Sequence, residues 1–202
     1  RWSPDGGKIA YVALSPDQSG PTEGAEGYKT AFEIGSSGYL QSKAPTARRV
    51  YVLAVEGGET KEVTPAHTVG TELRTSGVDW SPDGATILSS GEDGSARIWD
   101  AVTGVERAVF SGHAGGLNDA VWSPAGELVV TASADGTAKV WDAMTGSELF
   151  TLSGHSGSVN GVAWSPDGER IVTASDDGLA RLWSAPDISD APSDGATGEL
   201  LL

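Results

Sequence analysis

A 42-residue period runs through this chain and limits its architecture more than any other feature. The motif WSPDG begins at Trp2, Trp80 and Trp164, and WSPAG at Trp122, so the last three tryptophans are spaced by 42 residues. Trp99, Trp141 and Trp183 form a second series with the same spacing, which places all 7 tryptophans at two repeat positions. Gly112-His113 and Gly154-His155 recur on the same period. Each unit divides into four short β-type runs. In the clearest one these are Leu117–Trp122, Glu127–Ser133, Thr137–Asp142 and Glu148–Leu152, separated by Ser-Pro-Ala-Gly, Ala-Asp-Gly and Thr-Gly turns. Pro pre-sets φ and Gly supplies positive φ at such turns. Four strands per unit leave no room for a helix and exclude a helical solenoid. Glycine fits this pattern: 28 of 202 residues, about twice ordinary usage.

A period of ~40–45 residues with four strands is that of a propeller blade. The order Gly-His, WSPDG, then S-x-D-G-x-x-x-x-W-D resembles the WD-repeat family of β-propellers over residues 66–184. Two departures stand out. The Trp80 repeat has His67 four residues early in place of an aligned Gly-His pair, and the last repeat reads Trp183-Ser184 where the others have Trp-Asp. Residues 1–65 differ. The hairpin from Trp2 and the run Arg49–Thr64 resemble blades of TolB-like and prolyl-oligopeptidase-type propellers, which lack the WD signature. The expectation is an all-β propeller of four-stranded antiparallel blades, about four in number, forming an open partial ring. Blades are expected at 1–65 (with an insertion at 15–47), 66–110, 111–152 and 153–202 (with a loop at 185–198). The fourth blade is expected to end in a strand at Glu199–Leu202.

The resemblance implies a buried hydrogen-bonded chain in each regular blade. The sets are His113, Ser133 (or Thr131), Asp135 and Trp141, and His155, Ser175 (or Thr173), Asp177 and Trp183. In the Trp80 repeat Gly91 stands where the Ser would be, leaving Asp93 and Trp99. Recurrence of the set argues for structure over catalysis, because a catalytic triad would not appear twice 42 residues apart. The resemblance also implies a partner-binding face made by Ser76, Glu92, Asn118, Asn160 and Asp176.

Other chemistries find little support. No Cys is present, so disulfides, thiolate zinc sites and cysteine nucleophiles are excluded. His67, His113 and His155 belong to different blades and do not form a metal site. Gly154-His-Ser-Gly-Ser158 approaches G-x-S-x-G but precedes a strand, where a nucleophile elbow needs a strand-to-helix turn. The acidic stretch Asp187–Glu199 lacks calcium-loop ligands, with Pro192 and Leu201 at two required positions. No Gly-rich loop opens a helix to hold phosphate, and no cofactor is expected. A net charge of −15 disfavours nucleic acid and anionic membranes as direct partners. No apolar run approaches the ~18 residues of a membrane helix. The chain starts at Arg1 with no signal-peptide pattern, leaving its compartment open with the cytoplasm favoured. The functional expectation is a non-catalytic scaffold for a protein or peptide, a piece of a longer propeller protein. The alternative is the propeller of a larger enzyme, such as a propeller-capped serine peptidase whose catalytic domain lies elsewhere.

Overall fold

A computed structural model of the chain describes residues 1–14, 48–64, 75–185 and 196–197. The expected insertion at 15–47, His67 and the expected strand Glu199–Leu202 lie outside the described residues, as does most of the 185–198 loop. The described elements are all strands. No helix among them is long and apolar enough to cross a membrane.

The first sheet contains β1 (Lys8–Leu14), β2 (Arg48–Ala54) and β3 (Thr60–Glu62), with Trp2 bridged to Ile9 on its inner side. The second contains β4 (Thr75–Trp80), β5 (Thr86–Gly91), β6 (Ser95–Asp100) and β7 (Glu106–Ser111). The third contains β8 (Leu117–Trp122), β9 (Leu128–Ser133), β10 (Ala138–Asp142) and β11 (Glu148–Leu152). The fourth contains β12 (Val159–Trp164), β13 (Arg170–Ser175) and β14 (Ala180–Ser184). Within each sheet consecutive strands pair antiparallel. β15 (Ala196–Thr197) departs from expectation, running parallel to β11 with Phe150 opposite Ala196. It thus adds to the third sheet a strand from the segment assigned to the fourth blade's loop. The outer edge of β11 presents an unpaired backbone ladder, and such an edge accepts a passing extended segment.

The repeated motifs are turn chemistry. In the second sheet the Ser81 hydroxyl donates to Asp83 at 2.6 Å, and Asp83 accepts the Ala85 N–H at 2.9 Å. Thr86 N–H returns to Ser81 Oγ at 2.9 Å, and Gly84 takes φ 69°. Ser, Asp and Gly are therefore each required by one tight β4–β5 turn. Ser3/Asp5 and Ser165/Asp167 repeat it. The Asp of the Trp-Asp pair caps the other turn at the same end: Asp142 accepts N–H from Met144 at 3.0 Å and Thr145 at 2.6 Å.

Among the described residues, three hydrophobic cores lie between sheets. Ala10, Val50, Val52 and Val63 meet Trp80, Ile87, Trp99 and Ala101 between the first and second. Leu88, Ile98 and Phe110 meet Leu117, Val129 and Trp141 between the second and third. Val130, Val140 and Leu152 meet Val159, Ile171 and Trp183 between the third and fourth. No core joins the fourth sheet to the first among the described residues. The far face of the fourth sheet is correspondingly bare: Val172 is 41% exposed, whereas its repeat equivalent Val130 is 0% exposed beneath the fourth sheet. The described residues form an all-β, four-bladed open propeller arc.

Candidate functional site: the upper end of the blades

Two kinds of residue gather at the end of the blades that carries the β5–β6, β9–β10 and β13–β14 turns. The first is the buried polar chain. His113, from the β7–β8 connection, meets Asp135 through Nδ1 at 2.9 Å and Thr131 through Nε2 at 2.8 Å. Trp141 donates its indole N–H to the same Thr131 oxygen at 2.8 Å. Asp135 also accepts from the Ala114 N–H and the Thr137 hydroxyl. Burial pushes its carboxyl up, but these donors outweigh it and hold the carboxyl at about 2. The ionised Asp135 fixes the proton of His113 on Nδ1, so Nε2 accepts from the Thr131 hydroxyl. Burial lowers the His113 pKa despite Asp135, which favours this neutral ring. His155, Thr173, Asp177 and Trp183 reproduce the arrangement at 2.8–2.9 Å. Asp177 is held well below the usual carboxylate range: burial opposes this, and His155 with the Leu179 and Ser156 N–H groups outweighs it.

Of the two hydroxyls open from sequence, Thr131 and Thr173 occupy the chain, which corrects the first choice of Ser133 and Ser175. Trp141 pairs with Val129, two residues from Thr131 and four from Ser133, so the indole meets the threonine first. The serine lies about 7 Å further along the strand. Ser133 instead donates to Gly115 O and accepts the Asp135 N–H, both at 3.1 Å, and Ser175 does the same in the fourth blade. The second blade keeps more than its sequence suggests. Ser89, the equivalent of Thr131, accepts the Trp99 indole at 2.8 Å. Asp93 is bonded by Ser95 and Arg97. Its Oδ1 would lie 2.5 Å from a Cβ at position 91, so the glycine there makes room for it.

The second kind is a set of bulge residues. β4, β8 and β12 each shift register just after their first residue, between Thr75 and Gly77, Leu117 and Asp119, and Val159 and Gly161. Ser76, Asn118 and Asn160 are the extra residues, and a bulge re-aims its side chain. Ser76 donates to Leu117 O at 2.6 Å and Asn118 to Val159 O at 2.8 Å, each tying its blade to the next. Asn160 donates instead to Asp176 of its own blade. Glu92 and Asp176 lie in the turns beside them, exposed. The five face residues thus share one end of the arc.

Sequence reasoning missed two half-buried carboxylates on the inner strands. Asp79 accepts the Trp122 N–H at 3.2 Å and Asp119 the Val162 N–H at 3.3 Å, each from the next blade. Burial raises both pKa values. Neither residue follows the repeat, since Asp79 corresponds to Val121 and Ala163, and Asp119 to Gly77 and Gly161. The 42-residue pattern therefore gave no signal for them. Among the described residues no group of three His, Asp or Glu side chains could hold a metal ion. Ser156 lies exposed between β11 and β12.

The family pattern described as WD domain, G-beta repeat matches residues 59–100, 104–142 and 146–184, together more than half of the chain. Each match runs from the outer strand of one blade through three strands of the next, as from β7 through β10. No curated protein matches the chain. Among solved structures, a chain of "Crystal Structure of Mitotic Checkpoint Complex" is similar, with 25% identity and a TM-score of 0.61. The likeness covers 68% of this chain and 41% of that one. Periodicity, turn chemistry, the Asp–His–Thr–Trp chains and the matched repeats agree: this chain belongs to the WD-repeat family of β-propellers.

Proposed function

We propose that the chain is a non-catalytic scaffold that presents the upper ends of its blades to a protein or peptide, as part of a larger propeller. The observation that carries this is the convergence on one end of Ser76, Asn118 and Asn160, the extra residues of bulges that recur at one position, with Glu92 and Asp176 of the neighbouring turns. Rigid blades with side chains projected from bulges suit recognition, where variation at the ends leaves the core intact. The Asp–His–Thr order resembles a proton relay, but Thr131 is 0% exposed and its oxygen is engaged by both imidazole and indole. A nucleophile needs a site where a reacting atom can sit beside it, and this oxygen has none. Photo-crosslinking tests the reading: a benzophenone residue at position 176 should capture a partner that the same residue at position 167, on the opposite end, does not. A purified partner should then lose affinity by about tenfold for Asn118→Ala combined with Asp176→Ala. Adducts arising only from position 167 would overturn the proposal.

A second reading is that the chain is the propeller of a larger enzyme. The first blade favours it, because Leu53 stands where the regular blades have their Trp and Tyr11 where they have the hydroxyl. An α/β-hydrolase segment with its own nucleophile elbow elsewhere in the reading frame would decide for this alternative.

A further inference from the structure

A groove of about 1110 Å³ opens between the second and third blades at the lower end, opposite the bulge residues. Its apolar surface includes Ile98, Ala108, Ala143 and the lip residue Met144, which is 90% exposed. The next joint explains why it exists. Ala108 faces Ile98 across β6–β7 as Phe150 faces Val140 across β10–β11. Phe150 packs with Trp164 and Leu149 against the core between the third and fourth blades. Ala108 packs with Trp122 and Ala143 at the equivalent place one blade earlier. The fold thus has a position that holds an aromatic ring in one joint and a methyl group in the joint before it. The rim is acidic, with Asp83, Glu127 and Asp142. Arg107 also lines the groove, paired with Asp100 and near enough to favour the charge on Asp83, which leaves the rim acidic by a net two charges.

We infer that this groove is a second peptide-docking site, taking an aromatic side chain flanked by basic residues from an extended partner segment. The ring occupies the volume that Phe150 fills in the following joint. An aromatic side chain buries about 150–250 Å² and dominates the contacts that it makes. The basic flanks meet the three carboxylates, in keeping with a chain of net charge −15. The inference rests on the scaffold reading but places this site at the end opposite the proposed upper face.

The test uses the full chain, ¹⁵N-labelled, and a defined probe: the pentapeptide Gly-Lys-Phe-Lys-Gly, acetylated and amidated. Amide resonances of Ile98, Ala108, Ala143 and Met144 should shift on titration to about 1 mM probe. Replacing the probe's Phe by Ala, or its two Lys by Glu, should weaken binding by about tenfold. Ala108→Phe, which copies the next joint, should abolish binding and leave the melting temperature unchanged or raised. Glu127→Lys, on an exposed side chain, keeps the fold and should lower affinity by about threefold. No shift in the groove, equal binding of the Ala probe, or full affinity in a folded Ala108→Phe variant and in Glu127→Lys would overturn the inference. Shifts gathered at Asn118, Asn160 and Asp176 would also overturn it, while leaving the upper-face scaffold reading standing.

Discussion

Thr131 accepts one hydrogen bond from an indole and gives its own proton to an imidazole, so removing its hydroxyl strands two buried groups. A buried donor or acceptor left without its partner costs about 1–3 kcal/mol. Thr131→Val should therefore destabilise the chain by that amount in urea unfolding, and Ser133→Ala by less. His113→Ala and His155→Ala should each cost about 1–3 kcal/mol as well, without altering the affinity of an upper-face partner; unchanged melting would contradict a structural role. Asp119 obeys the opposite sign. Burial raises its pKa, so the folded chain binds the proton more tightly than the unfolded chain. Its contribution is most favourable below the ordinary value of 3.8 and is lost as pH rises through the raised value. Asp119→Asn keeps an oxygen for the Val162 N–H and removes the charge. The variant should be more stable than the parent at pH 7, and the difference should shrink on acidification. The threonine was within reach of the sequence, which left Thr131 open beside Ser133, and strand register selects it. Asp119 was not, because it interrupts a glycine pattern instead of extending one.

At the scale of the element, the turns were the most legible part of the chain. Ser81, Asp83 and Gly84 each do one job within a few residues of each other, so the motif that advertises the turn also builds it. The bulges were less legible, since nothing in Ser76, Asn118 or Asn160 says that two residues on one strand oppose one on its partner. The parallel pairing of β15 was not legible, because it depends on an edge offered by another blade. Turn glycines also differ in what surrounds them. A Cβ at Gly104 would lie 2.7 Å from Val63 O of the preceding blade, whereas one at Gly178 would meet nothing within 4 Å. Both hold positive φ, at 76° and 81°. Gly178→Ala should cost about 1–2 kcal/mol from backbone strain alone. Gly104→Ala should cost clearly more in the same denaturation assay, as the two blades are forced apart.

Across the whole molecule, the joints among the described residues repeat one packing scheme, and no described sheet covers the far face of the fourth blade. Val130→Ala, in the joint between the third and fourth blades, should cost about 2 kcal/mol. Val172→Ala, one period later, should fall within about 0.5 kcal/mol of the parent. Val172→Lys should reduce concentration-dependent association in sedimentation velocity, because an exposed apolar face on a sheet is a ready contact for another surface. Association unchanged by that substitution would place the sticky surface elsewhere. The offset between the matched repeats and the blades has one more consequence. Each matched unit contributes the outer strand of one blade and three strands of the next. Tandem duplication of such a unit in a gene would thus insert a ready-made seam, with both sides already fitted, in place of a free-standing sheet that must then find a neighbour. An arc of this kind can lengthen by whole steps without ever passing through an ill-fitting intermediate.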